Sequence, residues 1–375
     1  CDGWQDHERA VVVYEDFQMA MQEPSWPEWG GDMDRYYPWH IWTSPAGAHH
    51  AGHLLDTVIG PSVETSGMQQ VYEVLRCEPC VAIHVTPLPS AEALAQYYAT
   101  TFYDKDKPEY LVRTECDRDW WKSCVWRPLL KECRQLIRCG SWTKARGLRL
   151  LDIGCGPAVS LDVGKSLFME THGIEPNKAV CELARIREHI LYHGTLESCT
   201  DGDSDDDYEY DQDIRQSFHI ITAYEVLEHQ ACPEDFLLRC YDLLEPGGVL
   251  MVEVPNDYSS IQLLAREQLH IKPWWLAPPQ HLFYWTPKTL QLCVRRAGFT
   301  ILDMRGTYPI DQALFHGQNY IGNDVIGRQV HTARMQWELD MVHKGKWSQV
   351  EAEYRVNLQH RIGREIVCIA RKEAL

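Results

Sequence analysis

The chain has 375 residues, of which 45% are hydrophobic and 24% are charged, as in a globular protein with one large domain and an accessory region. Its formal net charge of −18 argues against a large nucleic-acid footprint, which needs concentrated Lys and Arg. No apolar run reaches the roughly 18–20 residues that a membrane span requires. Fourteen scattered cysteines are typical of free thiols in a reducing compartment, so we expect a cytoplasmic protein.

The first third of the chain gives the weakest structural signal. Residues 1–70 are rich in Trp, Pro, Gly and His without sustained periodicity, so we expect an irregular N-terminal region. Strand-like texture follows over 71–85, and Ser90 is placed to cap a helix. A second helical pattern runs over 117–137. We therefore assign 71–140 to a helical segment that caps the main domain.

From residue 141 onward, strands and helices alternate regularly. The strands are short and apolar throughout, which is typical of a parallel sheet with helices on both faces. The first five are predicted at 148–153, 172–176, 189–193, 218–223 and 248–254. An acid-rich run at 201–213 separates the third from the fourth and is predicted to be a solvated loop.

The end of the chain departs from this alternation. Strands are predicted at 299–305 and 364–372, and a helical insertion at 306–362 separates them. Because simple connections between strands are short, we expect the insertion to be a lid or a dimer element at the sheet edge. A homodimer is therefore left open, and the main domain is assigned to 141–375.

The strongest chemical signal lies where the first strand of this domain turns into a helix. Gly154 and Gly156 allow a tight turn and let a ligand approach the backbone. Glu175 ends the next strand, where a carboxylate can accept both hydroxyls of a ribose. Asp152 suits an α-ammonium group better than a pyrophosphate. Val159 stands where a dinucleotide fingerprint has its third glycine, which disfavours a Rossmann oxidoreductase.

Further motifs follow this turn in order, and three precede it. They are VLRCEPC, LPSAEALAQYY and FYDKDKPEYL before LLDIGCG, then GIEPN, EVLEH, LEPGG, HLFYWTPKTL, RRAGF, NYIGND and IGREIVCIARK. The series resembles the class I S-adenosylmethionine (SAM)-dependent methyltransferases, and within them the ubiquinone-biosynthesis-like branch common in bacterial sugar and polysaccharide clusters. The resemblance implies a Rossmann-like α/β fold, a seven-stranded sheet with its last strand antiparallel, and SAM as cofactor.

The resemblance also implies which residues hold SAM. From the methionine end to the adenine, the implied contacts are Asp152, Gly154, Cys155, Gly156, Tyr224, Glu175, Leu196 and Glu197. Tyr97 and Tyr98 match a paired-tyrosine feature that closes over the cofactor. Pro157-Ala158 departs from the family pattern, in which a glycine is usual, and narrows the freedom of the turn.

Methyl transfer to a hydroxyl requires a group that orients the nucleophile and removes its proton. His281, on the loop after the fifth strand, is the first candidate for this base. His229 is the second candidate, and Glu225 is a carboxylate alternative. A structural role for His281 is the competing hypothesis.

Glu225, Glu228 and His229 are spaced i, i+3 and i+4, which places them on one face of a helical turn. The arrangement resembles the metal-binding motif of ubiquinone-pathway O-methyltransferases and of small-RNA 2′-O-methyltransferases, in which His281 matches a further ligand. This resemblance implies Mg²⁺ at these three residues. The alternative, which we expect, is that they brace the start of the helix.

Cys77 and Cys80 resemble half of a zinc ribbon, which C-methyltransferases of the same broad family carry before the core. A full site needs four ligands. The others would have to come from residues at no recognised spacing, namely Cys1, His40, His49, His50 and His53. We therefore expect a degenerate, metal-free remnant.

The leading functional hypothesis is O-methylation of a small hydroxylated substrate, such as a sugar or polysaccharide unit. C-methylation of a nucleotide sugar is one alternative. RNA methylation is another, which the acidity of the chain disfavours. A SAM-binding module without catalysis is the alternative from a different class, and the intact Glu225, His229 and His281 argue against it.

Overall fold

The computed structural model describes residues 39–43, 49–65, 67–77, 80, 82–138, 147–201, 214 and 217–374. For 39–43, 49–51 and 201 it describes the backbone alone. Nearly all of the acid-rich run predicted to be a loop lies outside these residues. Within them, no helix combines the length and the apolar character needed to cross a bilayer.

Twelve strands occur in the described residues. They are β1 (Trp39–Thr43), β2 (His49–Pro61), β3 (Gln69–Cys77), β4 (Ala82–Thr86), β5 (Leu148–Ile153), β6 (Met169–Glu175), β7 (Ile190–His193), β8 (Phe218–Tyr224), β9 (Leu244–Pro255), β10 (Phe283–Tyr284), β11 (Thr300–Gly306) and β12 (Glu365–Arg371).

The helices connect these strands and cover both sheet faces. They are α1 (Ala91–Thr100), α2 (Tyr110–Cys116), α3 (Arg118–Trp120), α4 (Arg127–Leu136), α5 (Val159–Ser166), α6 (Lys178–Arg185), α7 (Leu196–Asp201), α8 (Pro233–Leu243), α9 (Ser260–Gln268), α10 (Pro287–Arg296), α11 (Asp324–His343) and α12 (Trp347–Gln359). Phe102–Asp106 and Trp121–Trp126 are π-helical turns, whereas Leu227–His229 and Ile310–His316 are 3₁₀ helices.

Seven strands form the main sheet, in the order β11-β12-β9-β8-β5-β6-β7. β5 to β9 pair in parallel, whereas β12 runs antiparallel to both β9 and β11. The predicted α/β fold with its antiparallel last strand is therefore confirmed. Consecutive residues such as Leu150 and Leu151 enter opposite cores, one on each face of the sheet, which explains why these strands are apolar throughout.

A second sheet packs beside the first and consists of five antiparallel strands, β1-β2-β3-β4-β10. The expectation of irregular structure over 1–70 is therefore wrong for β1 and β2. The pairing of β2 with β3 shifts register between Leu54 and Asp56. Such a bulge breaks the alternation of side chains that would reveal the strand in the sequence. The division of the chain at residues 70 and 140 stays a prediction.

The predicted helix starts are largely confirmed. Ser90 caps α1 by accepting from Ala93 N at 3.2 Å, and Thr286 caps α10 with a capping box. The helix predicted over 117–137 is interrupted by the π-helical turn at Trp121–Trp126. This turn places the rings of Trp121 and Trp126 at 5.6 and 5.2 Å from that of Tyr224, at the end of β8.

The predicted insertion between β11 and β12 is helical, as expected, and consists mainly of α11 and α12. Glu338 on α11 accepts hydrogen bonds from Trp120 Nε1 at 2.5 Å, from Arg334 Nε at 3.2 Å and from the Tyr354 hydroxyl. Because these partners lie on α3, α11 and α12, one buried carboxylate joins the insertion to the segment that precedes the main domain.

Candidate active site

The glycine turn after β5 opens onto a cavity of 410 Å³ at the carboxyl ends of the parallel strands. Gly154 and Gly156 have φ angles of 69° and 45°, in the left-handed region that favours glycine. A Cβ on Gly154 would lie 2.8 Å from Cγ2 of Val226. The turn therefore needs glycine, and its backbone is open to a ligand.

The cavity wall contains most, but not all, of the predicted site residues. Those that form part of it are Tyr98, Gly154, Glu175, Leu196, Glu197, Tyr224, Glu225 and His229. The predicted residues that lie outside the lining are Asp152, Cys155, Gly156, Glu228 and His281.

Glu175 is 2% exposed and is fixed by two backbone donors. Gly156 N donates to its Oε2 at 3.0 Å, and Asn177 N donates to its Oε1 at 2.8 Å. Burial raises the pKa of Glu175 to about 7. Each carboxylate oxygen keeps a second lone pair. Glu175 can therefore still accept hydroxyl groups from a ligand in the cavity.

Asp152 differs from its sequence-based assignment as a cofactor contact. Its carboxylate lies behind the turn, where it accepts from the Ser160 hydroxyl and from Thr222 Oγ1 at 2.5 Å. Burial raises its pKa to about 6. Cys155 also points away from the cavity, because its Sγ packs against Gly173 on β6. Asp152 and Cys155 thus brace the turn from beneath.

Three aromatic residues of the cavity wall were missed at the sequence level: Phe102, Tyr103 and Tyr110. Tyr103 lies beside Glu175 and Gly156, with its hydroxyl 3.5 Å from where a Cβ on Gly156 would be. The motif FYDKDKPEYL carried the signal. Its π-helical turn gives no 3.6-residue period that would have shown which side chains face inward.

The predicted tyrosine pair is divided between two roles. Tyr98 lies in the cavity wall and donates its hydroxyl to Gln280 O at 3.2 Å. Tyr97 is not part of the wall and donates to Asp106 instead.

His229 lies in the wall with a defined protonation state. Its Nδ1 is 2.5 Å from Gln280 O, and a carbonyl oxygen can only accept, so Nδ1 carries the proton. Burial lowers the pKa of His229 to about 4, so the ring is neutral at physiological pH. Nε2 therefore keeps its lone pair and can act as a base.

His281 lies behind His229, with the two rings edge to face and their centroids 5.1 Å apart. Burial holds its pKa well below the usual range, and its Nδ1 has no hydrogen-bond partner among the described residues. Both carboxyl oxygens of Glu228 and of Glu253 also have none there. The Glu228 carboxyl, with Oε1 3.7 Å from His229 Nε2, and the His281 ring thus lie directly behind His229.

Comparison with known proteins identifies the family. Residues 125–303 match a family model described as a methyltransferase domain. A ubiquinone biosynthesis O-methyltransferase from Nitrobacter winogradskyi is 27% identical over 237 residues, which cover 58% of this chain and 87% of the relative. One from a Bradyrhizobium species is 31% identical over 125 residues, which cover 33% of this chain and 47% of the relative. The chain contains a class I SAM-dependent methyltransferase domain.

Among solved structures, this methyltransferase is similar to a SAM-dependent methyltransferase from Archaeoglobus fulgidus, with 16% sequence identity and a TM-score of 0.42. The similarity covers 70% of this chain and 99% of that one.

The cavity of the methyltransferase domain fits SAM. Three features follow one another along the ends of β5, β6 and β7. The accessible backbone of the glycine turn suits the amino-acid end of the cofactor. The carboxylate with free lone pairs suits the ribose, and the buried Leu196 suits the adenine. When bound, SAM supplies a methyl group on a positively charged sulfur.

The Mg²⁺ site implied for the methyltransferase by Glu225, Glu228 and His229 is not supported. Glu225 has a φ of 51°, so the helical turn that would align the three side chains begins only after it. Its carboxylate lies with those of Glu253 and Glu365, whereas Glu228 and His229 converge with His281. Burial also raises the pKa of Glu228 well above its usual range, which keeps the carboxyl neutral and a poor ligand for Mg²⁺.

The aromatic cluster after residue 273 belongs mainly to the core of the methyltransferase rather than to the pocket. Its four most buried members are 5% exposed or less and are not part of the cavity wall: Trp275, Phe283, Tyr284 and Trp285. They support the loop that carries Gln280 and His281.

Proposed function

We propose that this methyltransferase transfers a methyl group from SAM to a hydroxyl of a small substrate, with His229 as the base. The observation that carries the proposal is the neutral imidazole in the cavity wall, with its proton fixed on Nδ1 by Gln280 O. Tyr98 donates to the same carbonyl oxygen, so two side chains are fixed by one backbone group.

The cofactor is held in this proposal by the residues that line the turn end of the cavity. Glu175 accepts the ribose hydroxyls, and Leu196 and Glu197 contact the adenine. The backbone at Gly154 meets the methionine end, while Tyr103 covers the ribose. Tyr224 lies next to the reacting sulfur.

His229 replaces His281 as the first candidate for the base. Only His229 forms part of the cavity wall, and its Nε2 is the nitrogen left to accept the proton of a hydroxyl. His281 then acts as a positioning residue, because its ring lies against that of His229. Glu225 also borders the cavity, and desolvation there raises its pKa to about 7, so it is the next candidate for a base.

A substrate rich in hydroxyl groups is supported by the carboxyl groups in and behind the cavity wall. Glu225 borders the cavity, Glu253 lies with it, and Glu228 Oε1 is 3.7 Å from Nε2 of His229. Buried polar groups without partners are costly, typically by about 1–3 kcal/mol each, unless a ligand or water satisfies them, and the carboxyl oxygens of Glu228 and Glu253 have none among the described residues. A sugar supplies several O–H donors within a small volume.

A phenolic hydroxyl is the second candidate acceptor of the methyl group. The relatives from Nitrobacter and Bradyrhizobium are ubiquinone biosynthesis O-methyltransferases, and the cavity carries four aromatic side chains before the glycine turn, Tyr98, Phe102, Tyr103 and Tyr110. Aromatic walls pack well against an aromatic substrate. A homodimer and a cytoplasmic location stay predictions.

A panel of sugars, nucleotide sugars and phenols, assayed by release of S-adenosylhomocysteine, tests the proposal. We expect turnover of a hydroxyl compound that persists in EDTA, with the product carrying an O-methyl group by mass spectrometry and NMR. A product methylated on carbon would replace O-methylation with C-methylation. Tight SAM binding without turnover of any compound would support a binding module instead.

A further inference from the structure

Three side chains of the second sheet converge far from the glycine turn in sequence: Cys77, Cys80 and His84. Each offers one ligand atom, and these three atoms, two sulfurs and an imidazole nitrogen, lie within 4.8 Å of one another. Cys77 and His84 are fully buried, and Cys80 is partly buried. The cluster is therefore inside the protein.

The local backbone explains why the three side chains meet. Cys77 ends β3, and Cys80 N donates to its Sγ at 3.5 Å, which holds Cys80 close to the Cys77 sulfur. His84 lies on the neighbouring strand β4, in register with Leu75. The cluster thus joins the end of β3 to β4.

The hydrogen bond of His84 suits a metal ligand. Its Nδ1 is 2.8 Å from Val85 O, which can only accept, so Nδ1 carries a proton and Nε2 is the nitrogen that a metal would contact. A hydrogen bond of this kind to a backbone carbonyl is the usual partner of a metal-binding histidine, because it fixes the tautomer and the ring orientation.

We propose that Cys77, Cys80 and His84 bind a Zn²⁺ ion that stabilises the second sheet. Two thiolates and one imidazole are a donor set that Zn²⁺ prefers, and both sulfurs and the nitrogen are close enough to share one tetrahedral ion. A non-protein ligand such as water would complete the tetrahedron.

The ion would support the loop that carries the proposed base. His84 lies opposite Phe283 on β10, with the ring centroids 5.2 Å apart, and Val85 N donates to Leu282 O at 2.9 Å. Leu282 N in turn donates to Glu228 O at 2.9 Å. A metal bound to His84 on β4 is therefore connected through backbone hydrogen bonds to Glu228, the residue next to His229.

The sequence-based expectation of a metal-free remnant considered only Cys1 and the histidines between residues 40 and 53 as further ligands. It missed His84, although the spacing C-x₂-C-x₃-H stands in the sequence. The proposal is independent of the methylated substrate and can be tested without one.

Metal content of the full-length chain, purified without chelator, is the direct test. We expect about one zinc per chain by mass spectrometry, and less than about a tenth of that in Cys77→Ser and Cys80→Ser. After removal of zinc, Co²⁺ should give thiolate-to-metal charge transfer and visible bands in the wild type. Both should be lost in the two variants, and the Tm should fall on removal of the metal.

Cys116→Ser is the matched control, because Cys116 is exposed on α2 and outside the cluster. It should retain the zinc and the cobalt spectrum. If a cluster variant does not fold by circular dichroism, the Co²⁺ titration of the wild type decides alone. The zinc site would be overturned if the wild-type protein contained no zinc or if its cobalt complex showed no thiolate bands. A disulfide between Cys77 and Cys80, detected by mass spectrometry, would also overturn it.

Discussion

Around the glycine turn, the buried carboxylates of Asp152 and Glu175 each accept two hydrogen bonds from neighbouring groups. Behind His229 and Glu225, the equally buried carboxyls of Glu228 and Glu253 accept none from the described residues. Both pairs lie at or near the carboxyl ends of strands of the same sheet. The two sides therefore differ in how far the fold itself satisfies its polar groups.

This difference separates a side whose polar groups the fold satisfies from a side whose polar groups it leaves unsatisfied. Where backbone amides and hydroxyls satisfy the carboxylates, their geometry is set before any cofactor arrives. Where buried carboxyls stay unpaired, water or a ligand has to supply the missing hydrogen bonds. A cofactor common to a large family suits the first arrangement, and a substrate particular to one member suits the second.

The largest expected effect is that of His229→Ala, on the substrate side. Without the base, kcat should fall by about 10²–10⁴ while the Kd of SAM changes little. Turnover and isothermal titration calorimetry measure the two quantities. His281→Ala serves as the comparison and should cost less, because His281 acts through His229. A larger loss in His281→Ala than in His229→Ala would return the role of base to His281.

Glu175→Ala tests the cofactor side. Loss of a buried acceptor for two hydroxyls should weaken SAM binding by roughly 2–3 kcal/mol, or about 30–150-fold in Kd. Calorimetry with SAM and with S-adenosylhomocysteine measures it. Glu197→Ala, at the proposed adenine end, is the milder control. Unchanged binding in Glu175→Ala would mean that the ribose lies elsewhere.

The pH dependence of the rate follows from the lowered pKa of His229. The ring is active when neutral, and its pKa is about 4, so kcat should stay level down to about pH 5 and fall only as the pH approaches 4. An ordinary imidazole would lose about 30-fold by pH 5. A rate profile with folding checked by fluorescence decides between them, and a midpoint near pH 6.5 would contradict the buried environment.

The smallest effect concerns stability and compares the two sides directly. Asp152→Leu strands the hydroxyls of Ser160 and Thr222 and should lower the free energy of unfolding by about 1–3 kcal/mol. Glu253→Met removes two unpaired acceptors and should leave stability unchanged or raise it by about 1 kcal/mol. Urea unfolding at pH 8 measures both. Equal losses of unfolding free energy in the two variants would show that the Glu253 carboxyl has hydrogen-bond partners in solution. The two sides of the site would then not differ.

The sequence predicted the main sheet well because its signals are local. Apolar runs mark β5 to β9, and cap residues such as Ser90 and Thr286 mark helix starts within a few positions. The second sheet was not predicted, because the bulge between Leu54 and Asp56 interrupts the alternation of inward and outward side chains along β2. Signals of this kind cannot be recovered from periodicity.

The sequence predicted the cofactor half of the site better than the substrate half. Gly154 and Glu175 occupy positions that a strand and a turn define. The roles of Glu225 and His281 depended on two facts that are not local. One is the left-handed backbone of Glu225, and the other is the pairing of Leu282 with Glu228, which brings a distant loop behind His229.

The insertion between β11 and β12 leaves the sheet after Gly306 and returns at Glu365, and Gly306 pairs directly with Ile366. Cross-strand partners in an antiparallel pair lie only about 5 Å apart, so the ends of the insertion meet. A segment with adjoining ends can be lengthened, shortened or exchanged with little strain on the strands that hold it. Evolution can therefore vary the length of this helical pair while β11 and β12 keep their pairing.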